Sequence, residues 1–267
     1  DDSLVADSQV NEGVASTRLG MVGWPAEGEE LEIARDIALC LLTGCPLHIQ
    51  HITTKRGLDL VAAAKAEGLP VTCEVTPHHM FLTEDAITAE YQTALKVNPP
   101  LRTAEDAAAL IEGLANGTID AIVTDHAPHT LEEKERGFLE APNGIIGLEC
   151  AYGVCHKVLV DGGYISDQRL IELMSVAPSR LMGHRPTDVA ALLNVTAPCA
   201  SKRTLDLSAV EHPENVDLAI LNTSEAWTVD PEKFLSKARN TPFGGWHVTG
   251  RPLATVIGST LVFSRIH

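Results

Sequence analysis

The residues most able to do chemistry lie in one stretch, Ala121-Ile122-Val123-Thr124-Asp125-His126-Ala127-Pro128-His129-Thr130. Apolar and β-branched residues run straight into Asp125, His126 and His129, and Pro128 forbids continuation as helix or central strand. The pattern predicts a buried parallel strand whose C-terminal end opens into a polar loop, the place where α/β barrels carry their catalytic groups. An Asp there is poorly placed for packing and well placed for a metal ion or a proton. The plainer alternative is an Asp that caps the next turn beside two surface histidines. His51 stands at the end of a second short apolar run, Pro46 to His51. Neutral imidazole and carboxylate together suit Zn²⁺ or a similar divalent ion. A lone His after a strand is also a common satisfied polar residue. The spacing is not diagnostic, because each ligand comes from a different strand. Residue types alone reach a hydrolase with one or two metal ions and stop there.

These residues need a scaffold, and the sequence around them supplies one. Glu29 to Leu42 has helical spacing (Leu31, Ala34, Ile37, Ala38, Leu41), with Glu27, Glu29 and Glu30 at its N-terminal end and Gly44 beyond its C-terminus. Pro46 to His51 reads as a strand, Thr54 to Glu67 as a helix closed by Gly68, and Pro70 to Thr76 as a strand followed by Pro77-His78-His79. Leu95 to Arg102 reads as a strand stopped by Pro99 and Pro100. Thr103 caps a helix through Ala115, and Ile119 to Thr124 is the strand that delivers Asp125. Residues 1 to 27 read as polar and irregular.

Strands alternating with helices of about a dozen residues are the βαβ pattern of a parallel sheet, in about four units. The polar groups gather just after the strands, at His51, His78, His79, Asn98 and Asp125 to His129. The charged loop Leu131 to Arg136 and the run Ala141 to Gly147 fit either a lid or a solvated connector. Helices are expected at about 149–160, 167–175 and 177–183. Composition then shifts. Residues 184 to 213 are loop-rich, with an apolar patch at 189–195. Strand-like runs follow at 216–221, 226–229, 247–250 and 255–263. The expected division is a partial (β/α) barrel over 1–183 and a β segment over 184–267.

The chain has 267 residues, 45% of them hydrophobic, enough for a sizeable core. The net charge of −16 comes without any basic run, which argues against nucleic acid and anionic membrane as partners. No apolar run approaches the roughly 20 residues that span a bilayer. The six Cys form no CxxC pair and read as reduced thiols of a cytoplasmic protein without a signal peptide. The opening Asp1-Asp2-Ser3-Leu4, without Met, reads as the interior of a longer protein.

Several motifs in order carry a family resemblance. They are His48-Ile-Gln-His51-Ile-Thr-Thr54, Glu74-Val-Thr-Pro-His-His79, Lys96-Val-Asn98-Pro-Pro-Leu-Arg102, Thr124-Asp-His-Ala-Pro-His129, Gly144-Ile-Ile-Gly-Leu-Glu149 and Lys233-Phe-Leu-Ser-Lys-Ala-Arg-Asn240-Thr-Pro-Phe243. Together they resemble the dihydroorotases of the amidohydrolase superfamily, in the longer bacterial form.

The resemblance implies an α/β fold: the C-terminal part of a (β/α)8 TIM-type barrel plus strands of a small β-sandwich. It implies interconversion of dihydroorotate and N-carbamoyl-L-aspartate in pyrimidine biosynthesis, with Zn²⁺, one or two ions, or another divalent metal. By the family pattern His51 and Asp125 are metal ligands, and Asp125 is also the general acid/base. Asn98, His129, Asn143 and Gly144 contact the substrate, and Asn143 replaces the family's usual aromatic residue. His78 and His79 support or pack. The metal activates the attacking water while Asp125 carries its proton to the leaving ring nitrogen.

The family's His-x-His-x-Arg motif is absent from the chain. So are its bridging acidic residue and the His before Glu-Asp/Asn-Ser-Leu, whose tail Asp1 to Leu4 resembles. The resemblance therefore implies a C-terminal portion, inactive alone, of a homo-oligomeric enzyme. Two alternatives stay open: a non-catalytic subunit supporting aspartate transcarbamoylase, and a cyclic amidohydrolase of the allantoinase or dihydropyrimidinase type.

Overall fold

Helix α3 (Glu27–Thr43) begins on three acidic residues and stops where Gly44 takes a left-handed φ of 70°, a conformation glycine adopts without steric cost. The same logic sets the other long helices. Thr54 caps α4 (Lys55–Ala66) by accepting the Gly57 N–H, and Thr103 forms a capping box with Asp106 at the start of α6 (Ala104–Asn116). The computed structural model describes residues 2–188 and 216–266.

In chain order the first part runs α1 (Asp2–Val5), β1 (Val10–Asn11), α2 (Val14–Leu19), β2 (Gly23–Trp24), α3, β3 (Leu47–Ile49), α4, β4 (Val71–Val75), α5 (Pro77–Phe81), α6 and β5 (Ala121–Ile122). Strand β1 pairs with β2, and β3, β4 and β5 form a second sheet in that order; every pairing is parallel. Five parallel strands are thus present among the described residues, in two sheets that do not close on each other. Alternation along β4 sends Val71, Cys73 and Val75 into a core shared with α3, α4 and α6. Thr72 and Glu74 face the other way, where His48 bonds both, Nδ1 to Thr72 Oγ1 (2.8 Å) and Nε2 to Glu74 Oε2 (3.0 Å).

Beyond β5 come α7 (Leu131–Lys134), α8 (Ala151–Cys155) continuing as a π-helix through Val160, α9 (Asp167–Ile171) and α10 (Ala177–Leu181). An antiparallel sheet follows, β6 (Leu218–Thr228), β7 (His247–Ile257) and β8 (Thr260–Ser264), in order β6-β7-β8. It packs on α8 where Gly153 admits it: a Cβ there would sit 2.9 Å from Val248 Cγ2 and 3.1 Å from Gly250 O.

The structure revises three expectations. Residues 1 to 27 are not irregular, since they supply β1 and β2. Leu95 to Arg102 is not a strand: a 3-10 turn at Thr93–Leu95 leads into irregular chain, because Pro99 and Pro100 offer no N–H to a neighbour. Its apolar residues Leu95, Val97 and Leu101 are nonetheless buried, in a second cluster with Phe138, Ile145 and Phe243. The strand expected in two pieces at 216–229 is one strand, β6, with an irregular register between Asn222 and Ala226. The apolar patch at 189–195 and most of the loop-rich stretch around it lie outside the described residues.

Candidate active site

His51 and Asp125 follow β3 and β5 at their C-terminal ends, with β4 between them in the sheet. Both leave their strands in the left-handed region, at φ 35° and 46°. Asp125 is exposed at this edge and His51 is half-buried. His51 Nδ1 is buried without a hydrogen-bond partner. Burying a polar nitrogen unpaired is costly, and an imidazole nitrogen left free at a strand end suits a divalent ion. The donor set is incomplete here: no group of three or more His, Cys, Asp or Glu able to hold a metal occurs among the described residues. A catalytic zinc usually takes about three protein ligands. His51 and Asp125 therefore fit as part of a metal site, with further ligands still required.

Behind His51 lie His78 and His79, 1% and 2% exposed. Burial, reinforced by the neighbouring His79 and His51, holds His78 well below the ordinary imidazole range. Burial pushes His79 down to about 3. His79 Nε2 must carry its proton, since it faces the Pro99 carbonyl at 2.8 Å, and Nδ1 lies 2.7 Å from Thr76 Oγ1. His79 ties the end of β4 to the chain beside Asn98, while His78 Nε2, like His51 Nδ1, is buried without a hydrogen-bond partner.

One buried cation ties this region together. Arg102, 2% exposed, donates to Thr53 Oγ1 (3.1 Å), Asn11 Oδ1 (2.8 Å) and Trp24 O (3.0 Å), and pairs with Glu29 at 3.4 Å. Glu29 in turn accepts the Thr53 and Thr54 N–H groups (2.8 and 3.2 Å) and the Thr53 hydroxyl. The loop after His51 is thereby fixed to β1, β2 and the Asn98–Arg102 segment.

The expected substrate contacts come together on the other side. His129 Nε2 donates to Asn143 O (2.9 Å), and its Nδ1 lies 3.6 Å from Glu133. Gly144 takes φ 120°, and a Cβ there would stand 2.5 Å from Ala127 Cβ, so only glycine fits. Its N–H donates to Lys96 O (2.9 Å), two residues before Asn98. Asn98 and Asn143 are both exposed. His126, by contrast, turns away from the edge: its Nδ1 accepts from Gly147 N at 3.2 Å.

Two residues escaped the reading of the sequence. Lys134 lies in the charged loop that suggested a lid or a connector, yet it is 7% exposed and donates to Pro142 O (2.9 Å) and Gly144 O (3.0 Å). Burial, then the nearby Lys96, lowers it to about 8. Asn240 bonds both the loop that carries His129 and the loop that carries Gly144. Its stretch was matched as a motif, but no periodicity marks its role.

Comparison with known proteins follows this geometry. No protein-family model matches the chain. The dihydroorotase of Anaeromyxobacter sp. (strain K) is 43% identical over 260 residues, covering 97% of this chain and 55% of that protein. The dihydroorotase of Geobacter metallireducens is 40% identical over 265 residues, covering 99% and 57%. Among solved structures, the L-hydantoinase (dihydropyrimidinase) from Arthrobacter aurescens superimposes with a TM-score of 0.74 at 32% identity, over 91% of this chain and 50% of that one. A parallel βα sheet with its polar groups at the strand ends, superimposable on a hydantoinase, makes the chain similar to the α/β amidohydrolase class. Within that class it is a homologue of the dihydroorotases along nearly its whole length. The chain spans about half the length of the curated relatives it matches.

Proposed function

We propose that the chain is the C-terminal portion of a dihydroorotase, and that the whole protein opens the ring amide of dihydroorotate to N-carbamoyl-L-aspartate and closes it again. The observation that carries this reading is the meeting of two groups at one sheet edge. His51 and Asp125 stand at strand ends, and the Asn98, His129 and Asn143 loops are bonded together beside them, in a sequence 43% identical to a dihydroorotase.

In this reading His51 and Asp125 hold a divalent ion, zinc or a similar one, together with ligands from outside the chain. The ion supplies a water of lowered pKa and a Lewis acid for the amide carbonyl. Asp125 takes the proton of the attacking water and delivers it to the leaving ring nitrogen, running the same transfer backwards for ring closure. Asn98, with an exposed carboxamide, and His129 orient the substrate's carboxylate and ring amide. Both backbone groups of Gly144 are already occupied, by Lys96 O on one side and by Lys134 and Asn240 on the other. Gly144 therefore shapes the rim, and the exposed Asn143 makes the contact. Described cysteines without a disulfide fit a reducing, cytoplasmic setting.

The hydantoinase fold match favours one second reading, a hydantoinase-type cyclic amide hydrolase. Assay of the full-length protein with dihydroorotate, hydantoin, dihydrouracil and allantoin separates the two. The proposal expects dihydroorotate to be preferred in kcat/KM, and preference for another ring overturns it.

A further inference from the structure

We infer that Asn240 is a positioning residue that latches the substrate-facing loops to each other from the far end of the chain. It lies between β6 and β7, outside the parallel sheets, and its residue is 7% exposed. Its Nδ2 donates to Ala127 O (3.0 Å) and to Gly144 O (3.1 Å). Its Oδ1 accepts the His129 N–H (3.3 Å), and its backbone carbonyl accepts the Ile146 N–H (3.0 Å). Two carbonyls facing one end of the side chain and an N–H facing the other fix the orientation of the amide.

No other side chain of this size offers two donors and an acceptor in that arrangement. Aspartate, the isostere, would set carboxylate oxygens against the Ala127 and Gly144 carbonyls. Leucine would leave both carbonyls and the His129 N–H unpaired in a buried place.

The two loops need such a latch. Asp125 precedes one, His129 is on it, and Asn143 and Gly144 are on the other. Their other links are the His129–Asn143 bond, a short parallel bridge of His126 with Ile145, the Gly147 N–H to His126 Nδ1, and the Lys134 ammonium to Pro142 O and Gly144 O, none of which holds the His129 backbone. Beside them opens a cavity of about 440 Å³ lined by His129, Lys134, Arg239 and Asn240, into which a released loop can relax. Asn240 accepts the His129 N–H itself and donates to Ala127 O two residues before it, so its loss moves the imidazole without removing it. His129 is proposed to hold the substrate in ground state and transition state alike, and loss of such uniform binding raises KM more than it lowers kcat. The expected phenotype is therefore a binding defect produced by a residue that meets no substrate. The substrate named in the test rests on the dihydroorotase reading.

The experiment compares the full-length, zinc-loaded protein with its Asn240→Asp and Asn240→Ala variants, the second keeping the test open if the first does not fold. Three quantities are read: KM and kcat for dihydroorotate, amide exchange at His129, and protease cleavage within 131–147. The latch predicts a KM raised about tenfold or more with a smaller change in kcat. It also predicts faster exchange at His129 and new cleavage in the loop, at unchanged zinc content. Placed in a His129→Ala background, Asn240→Asp should add far less to KM than it does alone. Unchanged KM with unchanged His129 exchange overturns the inference, and so does a general loss of protection that spares the loop. If the unsubstituted protein turns over no dihydroorotate, the functional reading fails instead, and exchange and cleavage still decide the latch.

Discussion

His51 and Asp125 share a backbone conformation that neither side chain favours, with φ of 35° and 46° at the ends of β3 and β5. A non-glycine residue held there costs on the order of 1–3 kcal/mol, and such strain gathers at functional sites. Two strained residues at the C-terminal ends of β3 and β5, on either side of β4, support our proposal that this edge is the active site.

That relationship gives the first prediction. Asp125→Gly relieves the left-handed strain and should leave stability unchanged or raise it by up to about 1 kcal/mol. Asp125→Ala keeps the strain. Both variants of the full-length protein should lose well over the roughly 10²–10⁴-fold in kcat expected of one acid/base group, because ligand and proton carrier vanish together. Urea unfolding and dihydroorotate kinetics on the pair check this; turnover near normal in either variant removes Asp125 from the mechanism.

Buried Arg102 and its half-buried partner Glu29 give the second. Arg102→Met leaves Asn11 Oδ1 without its donor and Glu29 without its counter-charge, with only the Thr53 and Thr54 donors, and should cost about 3 kcal/mol in denaturant unfolding. Arg102→Lys should recover little of it, because an ammonium cannot reproduce the fork that spans Asn11, Trp24, Thr53 and Glu29. Full recovery by lysine would mean that charge alone matters there.

Acid provides the third. His79 is neutral in the fold down to about pH 3, while in the unfolded chain it titrates near 6.5. Between those values the unfolded chain binds the extra proton, so stability falls as pH drops from 6.5 towards 3, and His78 adds in the same direction. Neither contributes above that window. His79→Gln should flatten the dependence of unfolding free energy on pH across it, measured by urea titration at successive pH values. An unchanged slope would mean that other groups govern the acid limb.

Much of this was legible before any coordinates, for physical reasons. The helices announce themselves by caps and stops at Thr54, Thr103, Gly44 and Gly117, and β4 by its alternation. Strands β1 and β2 are two residues each and set among glycines and polar residues, so no period can build up. Leu95 to Arg102 carries the apolar content of a strand and the prolines that prevent one. His51 and Asp125 stand out as polar residues that end apolar runs. Asn240 does not, because its partner Ala127 lies 113 residues away and only the folded chain brings them together. Lys134 sits in a run of charges that reads as solvated, and burial of one lysine among four neighbouring charges leaves no trace in composition.

The most direct test is metal content and dihydroorotate turnover of the full-length protein and its His51→Ala and His129→Ala variants, side by side. His51, with its unpartnered Nδ1, is assigned to the metal, and His129, held by Asn143, to the substrate. His51→Ala should lose bound zinc and turnover together, while His129→Ala should keep its zinc and show a raised KM or a lowered kcat/KM. Full zinc with near-normal turnover in His51→Ala, or loss of zinc in His129→Ala, would contradict the account.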